Sequence, residues 1–349
     1  MKIAVLLSGG VDSSVALRLL KDQGHDVTAF YLKIWLQDEF SYLGDCPWEE
    51  DLSYAHAVCN QINVPLEVVP LQNEYWDYVV SYTISEIKEG RTPNPDIFCN
   101  SLIKFGQFFD KVGSSFDKVA SGHYAIVENI NDRYYLKRSP DPIKDQTYFL
   151  AYLNQKQLSK TIFPIGIYQK SEIRKLAIEY NLPNMERKDS QGICFLGKIK
   201  FNDFIKHHLG DMPGDIIDIE SNKVMGKHDG YYYYTIGQRS GLKLGGGPWY
   251  VVDKDVKQNQ ILISRNAELV EKDKDTFEVT KFNWFNEPPK SEKVDLKIRH
   301  GERILKGQLT FRDENFGTVE LEKPDRGIAP GQFAVFYENE YCLGGAVIL

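Results

Sequence analysis

The chain has 349 residues, of which 42% are hydrophobic and 26% charged, a composition typical of a folded globular protein. Its net charge of −7 at pH 7 argues weakly against a protein whose whole surface binds nucleic acid. No apolar run reaches the roughly 20 residues of a membrane helix, and the apolar run Ile3–Leu7 is too short for a signal peptide. We therefore expect a cytoplasmic protein without membrane partners.

The first part of the chain alternates between short apolar runs and amphipathic helices. The pattern predicts, in chain order, a strand at Lys2–Leu7, a helix at Ser13–Lys21, a strand at Val27–Leu32, a helix at Asp51–Gln61, a strand at Leu66–Pro70, a helix at Glu74–Glu89, a strand at Lys118–Ser121 and a helix at Ser171–Tyr180 with Ser171 as N-cap. Alternation of this kind predicts an α/β domain with a doubly wound, mostly parallel sheet, which we assign to residues 1–205.

The second part of the chain lacks a long helical period. Residues 206–270 are rich in Gly, Tyr and Val and predict a small central β-rich domain. After residue 271, alternating runs separated by turns predict a C-terminal antiparallel β-barrel that extends to residue 349. Its expected strands are Val294–His300, Ile304–Phe311, Thr318–Leu321, Phe333–Tyr337 and Cys342–Ile348. The basic stretch 288–312 is either a solvated hairpin face or a phosphate-binding face.

A glycine- and serine-rich segment, Ser8–Ser14, lies between the first predicted strand and its helix. Gly9 and Gly10 let the backbone approach an anion, and the N–H groups, hydroxyls and helix N-terminus would stabilise it. The lysine of a Walker A loop is absent, so the segment suits a pyrophosphate leaving group and adenylyl transfer better than phosphoryl transfer. Asp12 is then a candidate magnesium ligand. The alternative is a tight turn that happens to be rich in glycine.

The five cysteines contain no C-x-x-C pair, so we expect no resident metal site. Cys99 follows two prolines and Asp96 at the start of a helical run, where a thiol has a lowered pKa and Asp96 could act as general acid or base. Cys194 lies among polar and glycine residues, which favour an accessible loop. The alternative for the first segment is a buried core thiol with Asp96 as an N-cap.

Six blocks carry a resemblance to a known family. They are SGGVDSS (8–14), TPNPDIFCN (92–100), SGHYA (121–125), KDQTYFL (144–150), DSQGICF (189–195) and YTIGQRSGL (234–242). In this order they resemble the tRNA-specific 2-thiouridylases, which are PP-loop ATP pyrophosphatases with an adenine nucleotide alpha-hydrolase-like fold. The resemblance runs through the whole chain and implies that the C-terminal barrel contacts tRNA.

The resemblance also implies roles for individual residues. Cys194 would carry a persulfide, Cys99 would release the sulfur and end in a disulfide with Cys194, and Asp96 would move a proton. The implied ATP site consists of Leu6, Leu7, Ser8, Gly9, Gly10, Val11, Asp12, Ser13, Leu32 and Gly122. The implied contacts with the target base are Asn94, Pro95 and Asp96, and those with the rest of the tRNA are His123, Lys144, Asp145, Gln146, Arg299, His300 and Gln332.

The activity implied by the resemblance uses ATP together with magnesium and converts the wobble uridine of tRNA, position 34, to 2-thiouridine. Its expected partners are the anticodon stem-loop of tRNA and a sulfur donor, either a cysteine desulfurase or a relay carrier protein. Two alternatives stay open at this point. Another PP-loop adenylating synthetase would not depend on the cysteines, and an RNA-binding protein that only senses ATP would release no pyrophosphate.

Overall fold

The computed structural model describes residues 1–34, 47–189, 201–270, 274–325 and 327–349. The first of three structural parts contains, in chain order, β1 (Lys2–Leu6), α1 (Val11–Asp22), β2 (Asp26–Lys33), α2 (Pro47–Ile62), β3 (Leu66–Pro70), α3 (Gln72–Tyr75), α4 (Ser81–Lys88), α5 (Pro95–Phe98), α6 (Phe108–Lys111), β4 (Lys118–Ala120), β5 (Ala125–Ile130), β6 (Arg133–Arg138), α7 (Thr147–Leu150), α8 (Gln155–Lys160), β7 (Thr161–Ile162) and α9 (Lys170–Glu179). Helical segments with π-type hydrogen bonding, Trp76–Val80 and Cys99–Gln107, connect α3 to α4 and α5 to α6.

The N-terminal sheet has five strands in the order β3-β2-β1-β4-β7, and every neighbouring pair is parallel. The chain first builds outward from β1 through β2 to β3 and then crosses to β4 on the other side of β1. The carboxyl ends of β1 and β4 therefore form a switch point, the place where open α/β sheets bind ligands. This sheet confirms the doubly wound fold predicted from the sequence.

Alternate residues of β1 pack on opposite faces of the sheet, as the two-residue period of a strand requires. Ile3 and Val5 are fully buried in a core that includes Val58 of α2, whereas Leu6 packs into a second core that includes Ile103. Helices on both faces explain why β1 is apolar almost throughout rather than alternating.

Two predicted helices differ in detail from the structure. The helix predicted at Glu74–Glu89 begins at Gln72 and contains the π-type turn, which periodicity does not reveal. The helix predicted to be capped by Ser171 begins one residue earlier, at Lys170, with Gln169 as N-cap. The N–H of Gln169 donates to the Glu172 carboxylate at 2.7 Å, so a glutamate in the first turn satisfies the helix start and the Ser171 cap was wrong.

The rest of the chain forms a small sheet and a barrel. Its elements are α10 (Phe201–Leu209), β8 (Gly214–Asp218), β9 (Lys223–His228), β10 (Tyr250–Asp255), β11 (Gln260–Ser264), α11 (Ala267–Val270), β12 (Lys274–Trp284), β13 (Lys293–Lys297), β14 (Leu305–Phe311), β15 (Phe316–Asp325), β16 (Phe333–Glu338) and β17 (Tyr341–Ile348). Strands β10-β11-β8-β9 form the central sheet. Strands β12-β15-β14-β13-β16-β17 form an antiparallel barrel that the β12–β17 pairing closes, which confirms the predicted barrel.

A hairpin of the N-terminal part, β5–β6, extends the barrel sheet. Its second strand pairs with β17, with Leu136 opposite Cys342 and Lys137 opposite Tyr341. The Arg138 N–H also donates to the Glu340 carbonyl at 2.8 Å. Main-chain hydrogen bonds therefore hold the barrel against the nucleotide-binding half, a junction that the sequence analysis did not predict.

Candidate active site

The glycine- and serine-rich loop lies at the switch point of the sheet. It follows β1 and leads into α1, a helix of 12 residues. The N-cap residue of this helix is Gly10, and no side chain accepts a capping hydrogen bond there. The Ser13 hydroxyl donates to the Gly10 carbonyl at 3.0 Å and lies 3.3 Å from the Ser8 N–H, while the Ser14 hydroxyl also donates to Gly10, at 2.9 Å. The first N–H groups of a helix have no intrahelical acceptor, so the loop is built to bind an anion.

Two glycines are required by close packing at this loop. Gly9 has φ +74°, and a Cβ built on it would lie 2.2 Å from the Asp51 carbonyl oxygen. Gly122, which follows β4, would place a Cβ 2.7 Å from the Ser13 backbone nitrogen. The β4 side of the crevice therefore touches the start of α1. Gly122 therefore lies beside the phosphate loop, and its assignment to the ATP site stays a prediction.

We expect Gly9→Ala to disrupt the loop and to weaken nucleotide binding severely. A left-handed backbone costs an alanine about 1–2 kcal/mol, and the contact with Asp51 adds a steric clash. Gly24→Ala is the matched control, because Gly24 also has a positive φ, of +79°, but has no atom within 4 Å of its added Cβ. Denaturant unfolding and ATP titration should separate the two variants, and equal losses in both would contradict this account of Gly9.

The remaining predicted nucleotide contacts cluster around the loop. Leu6 and Leu7 are buried at the end of β1, and Val11 is buried in the first turn of α1. Leu32 lies near the carboxyl end of β2, where it is paired with Val69 of β3 and is half-buried. The structure therefore brings these residues to one edge of the sheet, next to Gly9 and Gly122.

Asp12 is held by two groups that the sequence analysis missed. Lys170 places its ammonium 2.7 and 2.8 Å from the two Asp12 carboxylate oxygens, and the Tyr124 hydroxyl donates to the same carboxylate at 2.8 Å. Burial, reinforced by Asp12, raises the pKa of Tyr124 well above its usual range, so its hydroxyl stays a donor. A lysine at the start of α9 is unfavourable with the helix dipole, and that misplacement is the signal that could have identified Lys170.

Three cationic side chains, one of them Lys170, surround the carboxylate of Asp189. Lys170 and Lys144 each lie 2.8 Å from an Asp189 oxygen, and Arg174 lies 2.5 Å from one. Burial works against this charge, but the hydrogen bonds from Lys144 and Lys170 hold the pKa of Asp189 well below its usual range. Asp189 is thus ionised and connects the KDQ block to the carboxylate of the phosphate loop. Cys194, five residues further along, lies outside the described residues.

Asn184 and Arg187 fix the back of the loop and were also missed. The Asn184 amide donates to the Gly9 carbonyl at 2.7 Å and to the Ser14 hydroxyl at 2.9 Å. Arg187 donates to the same carbonyl at 3.1 Å and pairs with the Asp51 carboxylate. These bonds occupy the Gly9 carbonyl and fix the loop against the segment that follows α9.

Cys99 and Asp96 lie on the helix that starts at Pro95. Asp96 is half-buried in the first turn, one turn before Cys99. Cys99 begins the π-type segment and is only 1% exposed, in the core that also contains Ile97 and Ile103. The helical setting agrees with the sequence pattern, but a thiol this deeply buried must become accessible before it can react with another sulfur.

Asn94 and Gln332 meet across the junction between the N-terminal part and the barrel. The Asn94 amide donates to the Gln332 side-chain oxygen at 3.4 Å, and the Tyr148 hydroxyl donates to that oxygen at 3.4 Å. Pro95 is buried at the start of the helix. The structure thus brings together one predicted base-contacting residue and one predicted tRNA-contacting residue that are 238 positions apart.

The KDQ block has a different placement for each residue. Lys144 reaches Asp189, and the Gln146 side-chain oxygen accepts from the Tyr124 N–H at 2.9 Å. Asp145 is completely buried and pairs with the equally buried Lys297 of β13 at 2.8 Å. With no exposed atoms, Asp145 is not on a surface that RNA can touch in this structure. Its position is that of an anchor between the N-terminal part and the barrel.

The other predicted tRNA contacts are spread around this anchor. His123 is half-buried between Phe105 and Phe163, and its Nδ1 lies 2.7 Å from the Ser121 hydroxyl. Burial lowers its pKa well below the usual value, so the imidazole stays neutral near pH 7. His300 stacks on Phe149 with ring centroids 4.7 Å apart. Exposed Arg299 lies 3.4 Å from Asp325.

The fold and the loop define a class of protein. A parallel α/β sheet with a glycine- and serine-rich loop at its switch point, followed by two β-rich parts, is a PP-loop protein of the adenine nucleotide alpha-hydrolase type. Family models agree along the chain. Residues 1–198 match a tRNA methyl transferase HUP domain, residues 202–265 a tRNA methyl transferase PRC-barrel domain, and residues 274–348 an aminomethyltransferase beta-barrel domain.

Curated relatives identify the family. The tRNA-specific 2-thiouridylase MnmA of Parabacteroides distasonis is 45% identical over 356 residues, which cover 100% of this chain and 99% of the relative. The tRNA-specific 2-thiouridylase MnmA 2 of Bacteroides fragilis is 46% identical over 355 residues and is covered completely, as is this chain. The chain therefore belongs to the tRNA-specific 2-thiouridylase family and is an enzyme of the sulfurtransferase class.

A solved 4-thiouridine synthetase–RNA complex with bound ATP is 18% identical, with a TM-score of 0.36 over 55% of this chain and 44% of that one.

Among the helices of the described residues, none is long and apolar enough to cross a membrane. The same residues contain no cluster of three or more histidine, cysteine or acidic side chains that could hold a metal ion. The predicted domain boundaries, after residues 205 and 270, stay predictions.

Proposed function

We propose that this enzyme uses ATP to convert the wobble uridine of tRNA, position 34, to 2-thiouridine. The observation that carries the proposal is full-length similarity to tRNA-specific 2-thiouridylases, combined with an anion-binding loop at the switch point of the sheet. The same loop without the cysteine motifs would leave the acceptor of the adenylyl group open. A cytoplasmic location, which the sequence analysis predicts, suits an enzyme that meets free tRNA.

In the proposed first step, the C2 oxygen of uridine attacks the α-phosphorus of ATP, and pyrophosphate leaves. The N–H groups at Gly9 and Gly10 and the hydroxyls of Ser8 and Ser13 would hold that pyrophosphate. Magnesium usually binds one or two carboxylates together with substrate phosphates and water. Asp12 could supply one such carboxylate once Lys170 turns to the phosphates instead.

In the proposed second step, a persulfide on Cys194 supplies sulfur to C2, and AMP leaves. Cys99 either attacks the Cys194 sulfur of the persulfide first, which frees hydrosulfide to attack C2, or attacks that sulfur after the persulfide has bonded to C2, which breaks the S–S bond and frees 2-thiouridine. In both cases a Cys99–Cys194 disulfide results, and two electrons from an external thiol reductant restore the thiols. Asp96, one turn from Cys99, would accept or return the proton of the base. The sulfur itself would come from a cysteine desulfurase or a relay carrier protein.

The tRNA would approach across the junction of the three structural parts. Asn94 and Asp96 would meet the target base, and Gln332, Arg299 and His300 would contact the anticodon arm. Extraction of an unpaired base costs little in a loop, which makes the anticodon a suitable substrate. Lys144 would change partner from Asp189 to a phosphate. Asp145 would act indirectly, by holding the Lys144 and Gln146 backbone against the barrel.

Pyrophosphate release tests the proposed activation step. We expect the purified protein to release pyrophosphate from ATP–Mg²⁺ when tRNA with a wobble uridine is added, and to do so without any sulfur donor. The matched control is the same tRNA with cytidine at position 34. Release that ignores the tRNA would indicate another adenylating synthetase. Binding of this tRNA without any release would indicate a protein that only senses ATP.

A further inference from the structure

The YTIGQRSGL block, residues 234–242, has no role in the reaction described above, yet its first four residues line a large cleft. This cleft has a volume of about 1030 Å³ and lies where the N-terminal part, the central sheet and the barrel converge. Its lining includes Pro93 and Gln332 and, from the central domain, Tyr234, Ile236, Tyr250 and Lys254. The central domain therefore faces the segment expected to hold the target base.

The central-domain wall combines apolar surface with a cation. Ile236 is 51% exposed although it is apolar, and Tyr234 and Tyr250 are half-buried beside it. In the described residues the Lys254 ammonium has no hydrogen bond or ion pair, and burial lowers its pKa although Asp253 opposes the shift. Burial disfavours the charged form of Lys254, and an anion next to its ammonium would stabilise that form. Aromatic and apolar surface next to a cation is the combination that binds unpaired nucleotides.

The position of the cleft indicates which nucleotide it would take. Pro93 immediately precedes Asn94, whose amide donates to Gln332, so the cleft adjoins the proposed base contacts directly. Pockets of about 300–1,000 Å³ hold single small ligands, and the volume of this cleft, about 1030 Å³, is just above that range. It therefore has room for one nucleotide beside the target uridine without its having to enter the catalytic crevice.

We propose that this cleft is a second RNA subsite, in which Tyr234, Ile236 and Tyr250 contact the base of an unpaired nucleotide adjacent to the target uridine and Lys254 contacts its phosphate. The proposal rests on the proposed function, since it requires an anticodon loop as substrate. It gives the central domain a direct part in substrate selection. The same residues would discriminate a flexible anticodon loop from a stacked helix, because only an unpaired base can enter the cleft.

Salt dependence of binding tests the phosphate contact. The affinity of the full chain for an anticodon stem-loop RNA is measured over a series of salt concentrations. Removal of one phosphate contact to a single strand makes the negative slope of log K against log salt less steep by about 0.7. We expect that change in Lys254→Ala and none in Lys257→Ala, which removes an exposed lysine outside the cleft lining. An unchanged slope in Lys254→Ala, or no binding by the wild type, would overturn the proposal.

An abasic RNA tests the base contact. With the nucleotide on either side of the target uridine made abasic in turn, we expect wild-type affinity to fall about 5- to 150-fold for one of the two positions. Ile236→Ala and Tyr234→Ala should already bind the intact RNA more weakly and lose less on the abasic change, whereas Tyr234→Phe, which keeps the ring, should behave as wild type. Equal losses in all variants would overturn the base contact.

A thiolation assay on full-length tRNA separates this proposal from the proposed function. If the wild type forms 2-thiouridine but Lys254→Ala and Ile236→Ala bind RNA normally, only the cleft proposal fails. If the wild type binds the stem-loop but forms no 2-thiouridine with any sulfur donor, the proposed function fails instead. A Lys254→Ala defect confined to desulfurase-dependent turnover, with normal RNA binding, would make the cleft a protein-docking site and would also overturn the RNA subsite.

Discussion

Cys194→Ala is expected to abolish 2-thiouridine formation while tRNA-dependent pyrophosphate release continues. In the proposed mechanism the thiol acts only after the uridine has been activated, so its loss would remove the sulfur carrier and leave the phosphate loop unchanged. Removal of a covalent nucleophile of this kind lowers turnover by on the order of 10³-fold or more. Mass spectrometry of digested tRNA and a pyrophosphate assay on the same reaction mixtures measure the two steps separately.

Cys99→Ala should show the same separation of steps if Cys99 takes part in sulfur release. Cys59→Ala is the matched control, because Cys59 is a thiol of α2 that is 2% exposed and whose burial raises its pKa to about 11. We expect that variant to keep both steps. Full product formation by Cys99→Ala would remove Cys99 from the obligatory path and leave sulfur transfer to Cys194 alone.

Lys297→Met is expected to destabilise the protein by about 3 kcal/mol, because it leaves the buried carboxylate of Asp145 with a poorer partner. Lys297 and Asp145 have no exposed side-chain surface and lie 2.8 Å apart. Arg138, 3.2 Å from Asp145, stays as a second cation, which is why we expect the lower end of the usual range for a broken buried pair. Denaturant unfolding monitored at the barrel measures the loss.

The double variant Lys297→Met/Asp145→Asn separates an unpaired charge from a lost contact. With both charges removed, we expect much of the lost stability to return, as it does where a buried ion pair is replaced as a unit. Lys306→Met, on the exposed face of β14, controls for the loss of a lysine from the barrel. A double variant as unstable as the single one would show that packing, rather than the unpaired carboxylate, determines the cost.

Local patterns predicted the fold well because the hydrophobic pattern of a strand reflects which of its faces are buried. The uninterrupted apolar run of β1 indicates a strand covered on both faces, and the alternation of buried and exposed residues in β14 indicates a barrel wall. The pairing of the β5–β6 hairpin with β17 was missed because it joins residues some 200 positions apart, such as Leu136 and Cys342. No local period carries that information.

The candidate site also contains residues whose function the sequence could indicate and residues whose function it could not. Ser8–Ser14 could be recognised because its function is local, a loop between one strand and one helix. Asn184 could not, since its role depends on Gly9, which lies 175 positions away in the chain. At Lys170 the sequence shows a cation that is unfavourable near a helix start but does not reveal its partner Asp12, 158 positions away. Asp145 was assigned a contact with tRNA that its position in the structure does not allow. The motif that contains it says nothing about burial, and the structure places its carboxylate inside the protein.

The most direct test of the account is formation of 2-thiouridine itself. Purified protein is incubated with unmodified tRNA, ATP–Mg²⁺, a cysteine desulfurase, cysteine and a thiol reductant, and the digested tRNA is analysed by mass spectrometry. The account predicts 2-thiouridine at position 34, dependent on ATP and absent in Cys194→Ala. No 2-thiouridine from the wild type, even with a cell extract that contains relay carriers, would contradict it and would direct attention to other acceptors of the adenylyl group.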